Sequence, residues 1–211
     1  MSERYRIGLI GGGNVAQRLG SLFASAGHDV VAGVLRPAGA IAQGVRAVTL
    51  AEAAAHGEIV VLAVPFTAVR EVLPPLREVL VGKVVVDATN PLNADWSPLD
   101  LGAGSSAGEE VARLLPGARV VKSFNTIFAD VMAPERLDRG GRLVTAFIAG
   151  DAPDACETVA LLARSAGLAP LVTGPLRNAR YLEAIAHLNI AIAVGQGGGT
   201  DAAFLFDQRR G

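Results

Sequence analysis

The sequence has almost no net charge, a single cysteine, few aromatic residues and no long unbroken apolar run. Each shortage removes a class of function. Nineteen Lys and Arg against twenty Asp and Glu leave a net charge of −1 over 211 residues, and the cations are scattered singly. Such a chain has no electrostatic footprint for a phosphate backbone or an anionic membrane surface, so neither nucleic acid nor membrane is expected as a partner. Cys156 has no second cysteine to pair with and lies in an alanine-rich helical pattern; it reads as a small buried hydrophobe. His28, His56 and His187 lack ligand spacing, so no metal site is expected. The most apolar stretches, residues 59–69 and 184–194, fall short of the roughly 18 residues a membrane span needs and are interrupted by Pro65 or by His187 and Asn189. Arg4 and Arg6 ahead of an apolar run, with Ala24-Ser25-Ala26 further on, imitate a secretion leader. Gly11-Gly12-Gly13-Asn14, Gln17 and Arg18 break the apolar run such a leader requires, so a cytoplasmic chain is expected.

What is present is apolar residue in quantity: 51% of the chain, with 18% charged and a mean hydropathy of +0.39. That excludes a disordered chain and suits a sheet buried on both faces. Short β-branched runs alternate with alanine-rich helical stretches, the form of βαβ units. The pattern predicts strands at 6–10, 29–34, 45–48, 59–63, 84–87 and 118–122. Helices are predicted at 14–26, 50–56, 68–80 and 107–114, the third interrupted by Pro74-Pro75. Gly27, Gly57 and Gly117 are expected to close helices as left-handed residues. The alternation continues with a strand at 143–149, a helix at 153–166, a strand at 169–172 and a long helix over about 176–194. The fold class is therefore α/β, a Rossmann-type doubly wound, mostly parallel sheet with a C-terminal α/β extension ending in a long helix.

Gly11-Gly12-Gly13-Asn14-Val15-Ala16 follows the first strand and opens the first helix, matching G-x-G-x-x-A. Gly11 permits the tight turn, Gly13 lets backbone approach a pyrophosphate, and Ala16 lets the helix sit close to the strand, with the anion at the helix N-terminus. Strand, turn, helix and second strand all fall within about 30 residues, which makes the motif a dinucleotide fingerprint. Residues 1–123 are thus read as the dinucleotide-binding core, and 124–211 as an extension packed on it without a linker. No Asp or Glu occurs from Val30 to Ala51, where an NAD site would place an acid for the ribose, whereas Leu35-Arg36 puts a cation there; NADP is favoured over NAD. Ala63-Val64-Pro65-Phe66 and Asn90-Pro91 end the fourth and fifth strands, on the edge where the cofactor of a doubly wound sheet lies. Asn125, after the sixth, can bond a carboxamide or an incoming ring.

The assembled set resembles the coenzyme F420-dependent NADP oxidoreductases and the related NADPH-binding domains of the STEAP metalloreductases. It rests on the glycine turn, Ala63-Val64-Pro65-Phe66, Asn90-Pro91, the segment Val120-Val121-Lys122-Ser123-Phe124-Asn125-Thr126 and the segment Gly174-Pro175-Leu176-Arg177-Asn178-Ala179-Arg180. The resemblance implies NADP across the strand ends, a deazaflavin or flavin ring stacked on its nicotinamide for direct hydride transfer, and pocket roles for Asn125, Ile127, Ala129 and Arg180. The chain departs from the family in three places. Gly33-Val34-Leu35-Arg36 keeps only the final arginine of the pair in the Gly-Ser-Arg-Arg grip on the 2′-phosphate, Asn125 stands where a histidine is usual, and Ala184 and Ala186 replace hydroxyl residues.

Hydride transfer needs alignment and exclusion of water more than a nucleophile, so no catalytic acid is assigned. Asp87, Asp95 and Asp100 read as strand-end and loop residues, and Trp96 as an anchor for its loop or a cover for the cofactor. Two other functions stay open: a non-catalytic NADP(H) sensor or partner-binding module, and an imine or hydroxyacid reductase, for which Lys122 is the available proton donor. Tyr181, Ile185, Leu188 and Ile192 share one face of the last helix while Ile190, Ala191 and Val194 make others apolar. A helix apolar nearly all round must be covered on several sides, and a homodimer through this helix is expected. Residues 200–206, behind a glycine-rich stretch, are expected at the rim of the acceptor pocket.

Overall fold

The computed structural model describes residues 3–101 and 104–209. Its strands are β1 (Arg6–Ile10), β2 (Asp29–Gly33), β3 (Ala40–Ala42), β4 (Val45–Val48), β5 (Ile59–Leu62), β6 (Val84–Asp87), β7 (Arg119–Ser123), β8 (Thr145–Gly150) and β9 (Ala169–Gly174). They form one nine-stranded sheet in the order β3-β4-β2-β1-β5-β6-β7-β8-β9. Pairing is parallel except where β3 meets β4 and β7 meets β8. The extension therefore continues the same sheet through an antiparallel seam. Helices are α1 (Asn14–Ser25), α2 (Leu50–His56), α3 (Val69–Val72), α4 (Ala107–Leu114), α5 (Pro134–Leu137), α6 (Pro153–Ser165) and α7 (Ala179–Ala193).

The strands are apolar on both faces because helices cover both. Ile7, Leu9, Val61, Val86 and Val121 point to the core beneath α1 and α6, while Ile10, Val60, Leu62, Val85 and Val120 point to the core beneath α2, α3 and α4. This alternation is the period-2 geometry of a strand. α1 buries Ala16, Leu19, Leu22 and Phe23 on one stripe. Each large side chain so buried contributes about 1.5–3 kcal/mol, enough to hold a 12-residue helix that alone is marginal in water.

Several expectations need correction. Pro74-Pro75 does more than interrupt the third helix: the segment is one α-turn, α3, flanked by short 3-10 turns at Phe66–Ala68, Pro74–Leu76 and Glu78–Leu80. Of the three glycines expected to be left-handed, Gly27 is (φ +93°). Gly57 is extended at φ −70°, and glycine is required there because a Cβ would lie 2.6 Å from the backbone nitrogen of Gly8. Gly117 also has no positive φ; a Cβ there would crowd Val81. The last helix opens with a 3-10 turn over Leu176–Asn178 before α7 begins.

Candidate active site at the carboxyl edge of the sheet

The glycine turn lies between β1 and α1. Gly11 has φ +126°, and a Cβ on it would sit 2.4 Å from the carbonyl oxygen of Ala63 at the end of β5. That close approach makes glycine obligatory. Gln17 Nε2 donates to the Gly12 carbonyl at 2.9 Å and steadies the turn. Gly13 differs: its backbone is ordinary (φ −76°, ψ −177°), yet a Cβ would meet nothing within 4 Å. Nothing inside the protein requires a glycine there, so the open space fits a ligand against the backbone. α1 also begins without any side-chain cap and without an acid in its first turn, leaving its first N–H groups and the positive end of its dipole for an anion. At the exit of β2, Leu35 is 87% exposed. Arg36 beside it is exposed and has no ion-pair partner among the described residues. Uncapped turn, open cradle and unpaired cation together fit an NADP-type dinucleotide.

Beside the first turn of α1, a cavity of about 250 Å³ opens under the carboxyl ends of β6 and β7 and beneath α7. Of the residues singled out in the sequence, Asn14, Val15, Asn90, Asn125, Ile127 and Ala129 line it. Leu92, Trp96, Phe128 and Ile190 make its wall mostly apolar, and Thr200 stands at its rim, its hydroxyl on Asp130. Ala63, Val64, Pro65 and Phe66 lie further along the edge at the end of β5, with Phe66 buried and Pro65 exposed. Pro91 is buried next to Asn90.

Asn125 turns its amide into the protein. Its Nδ2 donates to Asn90 Oδ1 at 2.9 Å and to the Leu182 carbonyl at 3.2 Å, while Asn90 Nδ2 donates to the Asn125 carbonyl at 2.7 Å. The reciprocal pair clamps the ends of β6 and β7 to α7. Its Oδ1 is sealed from solvent without a hydrogen-bond partner among the described residues. Arg180 lies outside the cavity: its Nε and a terminal nitrogen grip Glu109 at 2.8 and 2.7 Å, and these bonds hold the Glu109 carboxyl below its usual range. The bidentate fork directs the guanidinium to Glu109, away from the pocket role that the resemblance implied.

Beneath the cavity is a buried charge cluster. Lys122 and Asp87, register partners on β7 and β6, are both fully buried, with Nζ 2.8 Å from Asp87 Oδ2 and 2.9 Å from Glu183 Oε1. Lys122 also donates to the Thr89 carbonyl at 2.6 Å. Burial alone would lower its pKa, but the two carboxylates outweigh this and raise it. Glu183 in turn accepts from the Ala107 and Gly108 amides at 3.0 and 3.1 Å, so the cluster locks α7 to the start of α4. Lys122 is thereby an internal strut, without access to a substrate. Sequence reasoning missed Glu183. Its signal was present, since a lone lysine in a buried strand needs a carboxylate, and Glu183 is the one acid of the last helix.

Trp96 is no anchor beneath its loop: it is 46% exposed and stacks on Phe128 with ring centroids 6.4 Å apart. Residues 200–206 run back to β8, where the Phe204 carbonyl and the Phe206 amide bond Thr145.

Fold and edge define a Rossmann-type domain with an uncapped glycine turn and a mostly apolar cavity beside it. A family model described as NADP oxidoreductase, coenzyme F420-dependent, matches residues 6–91. The F420-dependent NADP reductase of Methanothermobacter thermautotrophicus is 33% identical over 213 residues, covering 90% of this chain and 89% of that protein. The rat metalloreductase STEAP3 is 33% identical over 185 residues, 87% of this chain; the chain spans only 36% of that protein's length. A crystal structure from Arthrobacter sp. FB24, described provisionally as an F420-dependent NADP reductase, superposes with a TM-score of 0.85 at 27% identity, covering 97% of this chain and all of that one. The chain belongs to the family of coenzyme F420-dependent NADP oxidoreductases. No helix among the described residues is long and apolar enough to cross a membrane.

Proposed function

We propose that the protein transfers hydride between NADP(H) and a planar deazaflavin or flavin-type acceptor, coenzyme F420 foremost. The observation that carries this reading is the apolar cavity adjoining the uncapped first turn of α1. When bound, NADPH supplies the hydride and the acceptor ring takes it up with one proton. The chain's own residues bind, orient and exclude water. Gly11, Gly12, Gly13, Asn14 and Val15 hold the pyrophosphate; Leu35 and Arg36 meet the adenosine end and its 2′-phosphate. Ala63 to Phe66, Asn90, Pro91 and Asn125 bound the path toward the nicotinamide. Ile127 and Ala129 line the acceptor side, while Arg180 supports the site from outside through Glu109.

The imine or hydroxyacid reductase reading loses its proton donor, because Lys122 is fully buried among carboxylates. The sensor reading is separated by turnover. NADPH mixed anaerobically with coenzyme F420, FMN, FAD and a quinone is expected to lose its absorbance with a ring acceptor. Tight NADPH binding with no oxidation by any of them would overturn the reductase in favour of the sensor.

We further propose a cytoplasmic homodimer, with residues 1–123 binding the cofactor and 124–211 completing the acceptor site. Tyr181, Leu188 and Ile192 on the outer face of α7 are 69%, 52% and 46% exposed, an apolar stripe suited to the same helix of a second copy. Sedimentation at micromolar concentration is expected to give twice 21.6 kDa; a monomer would overturn this.

A further inference from the structure

Trp96 stands at the tip of a loop framed by hydrogen bonds that do not involve its indole. A bridge pairs Leu92 with Pro98. Asn93 Nδ2 donates to Ser97 Oγ at 3.0 Å and to the Pro98 carbonyl at 3.2 Å, and Asp95 Oδ1 accepts from the amide and hydroxyl of Ser97 at 3.1 and 2.6 Å. Within this frame Trp96 has φ +68°, a left-handed conformation common for Gly or Asn and rare for a bulky side chain. With the indole half exposed, its burial does not offset that conformation. Among the described residues, Trp96 and Phe124 are the non-glycine residues with positive φ, and both line the same cavity. Such strain concentrates at ligand sites. The indole lies within 25° of parallel to the Phe128 ring. The residue also borders an outer groove with Leu188 and Ala191 of α7, so it stands between the cavity and the surface.

We propose that Trp96 is the stacking wall of the acceptor subsite, selecting extended planar rings over small carbonyl compounds. This rests on the reading of the cavity as the place of a ring acceptor. A flat conjugated ring offers an aromatic wall its whole face in an offset stack, whereas a small carbonyl compound covers little of the indole. Indole is also electron-rich and an oxidised deazaflavin or flavin electron-poor, so the ring form that receives hydride is the form this wall holds best.

Trp96 is the sole tryptophan in the sequence, so emission excited at wavelengths that tyrosine does not absorb reports on this side chain alone. The full chain with NADP⁺ is titrated with coenzyme F420 and with FMN while emission is followed. NADPH oxidation is measured in parallel for the parent, Trp96→Phe and Trp96→Ala. Saturable quenching is expected. Trp96→Ala is expected to raise KM for the ring acceptor about tenfold, with kcat and NADPH affinity within about twofold and the unfolding midpoint within about 2 °C. Trp96→Phe restores most of KM. An unchanged KM in Trp96→Ala, or unquenched emission at acceptor concentrations that saturate turnover, overturns the assignment, as does a fall in the unfolding midpoint without a change in KM. Absence of turnover in the parent defeats the reductase reading instead. Equilibrium dialysis then decides for Trp96: acceptor bound with quenching supports it, acceptor bound without quenching overturns it, and no bound acceptor removes both.

Discussion

Two helices begin near the carboxyl edge of the same sheet, and their first turns are finished in opposite ways. At α4, Glu183 accepts from the first two amides and the Ser106 hydroxyl from the third, at 3.0, 3.1 and 3.1 Å. The donors are spent, and the carboxylate that satisfies them also neutralises Lys122. At α1 the N-cap is Gly13, with no side chain reaching the turn and no acid within it. A helix N-terminus favours an anion wherever it occurs; what separates a binding site from a structural joint is whether the protein has already supplied one. The protein fills one turn with its own carboxylate and leaves the other open.

Changes at the filled turn should cost stability, and changes at the open one should cost cofactor. The largest effect is expected from Lys122→Met, which leaves Asp87 and Glu183 buried side by side without a cation. Denaturant unfolding should show a loss of about 3–5 kcal/mol; a loss below about 1 kcal/mol would remove the strut from the account. Glu183→Gln keeps the shape but replaces a charged acceptor at the α4 amides, for an expected loss of about 1–3 kcal/mol, with NADPH affinity within about twofold. At the open turn's neighbour, Arg36→Ala should weaken NADPH about tenfold and leave NADH unchanged. Equal losses for both nucleotides in a titration would show that Arg36 does not read the 2′-phosphate.

The smallest effect is a pH dependence away from both turns. His28 accepts from the Tyr5 amide through Nδ1 at 3.1 Å and lies 2.9 Å from Ser165 Oγ through Nε2. Burial, and then the charge of Arg4, lower its pKa from the ordinary 6.5. The native state thus binds its proton less readily than the unfolded chain. This contribution to stability is complete above pH 6.5, shrinks as pH falls below it, and levels off once the pH passes the folded-state pKa. His28→Asn, which keeps an acceptor near the Nδ1 position, should flatten the unfolding midpoint between pH 7 and 5. An unchanged slope would exclude His28 as its source.

The strands and the glycine turn were legible because their signals are local: β-branched runs of the right length, and a motif whose spacing is set by one turn of backbone. β3 was not, since Ala40–Ala42 is three residues long with one β-branched side chain. The antiparallel seam between β7 and β8 was also hidden, because connection lengths do not encode strand direction once a chain wanders through α5. Arg180 was misdirected for a related reason. Its partner Glu109 is 71 residues away, and only the folded chain shows that the fork is already taken. Gly57 illustrates a narrower limit: its position after a helix suggests a left-handed cap, but it is fixed by the close pass of β1.

The comparison of the two turns can be tested at one atom. A valine at Gly13 would place its Cβ where nothing lies within 4 Å, on a backbone of φ −76° that valine adopts readily, so the fold should assemble with an unchanged unfolding midpoint. Calorimetric titration with NADPH is then expected to show binding by the parent and a loss of at least about 100-fold, or ~2.7 kcal/mol, in Gly13→Val. A folded variant that binds NADPH as the parent does would contradict the account, for the open turn would then hold nothing.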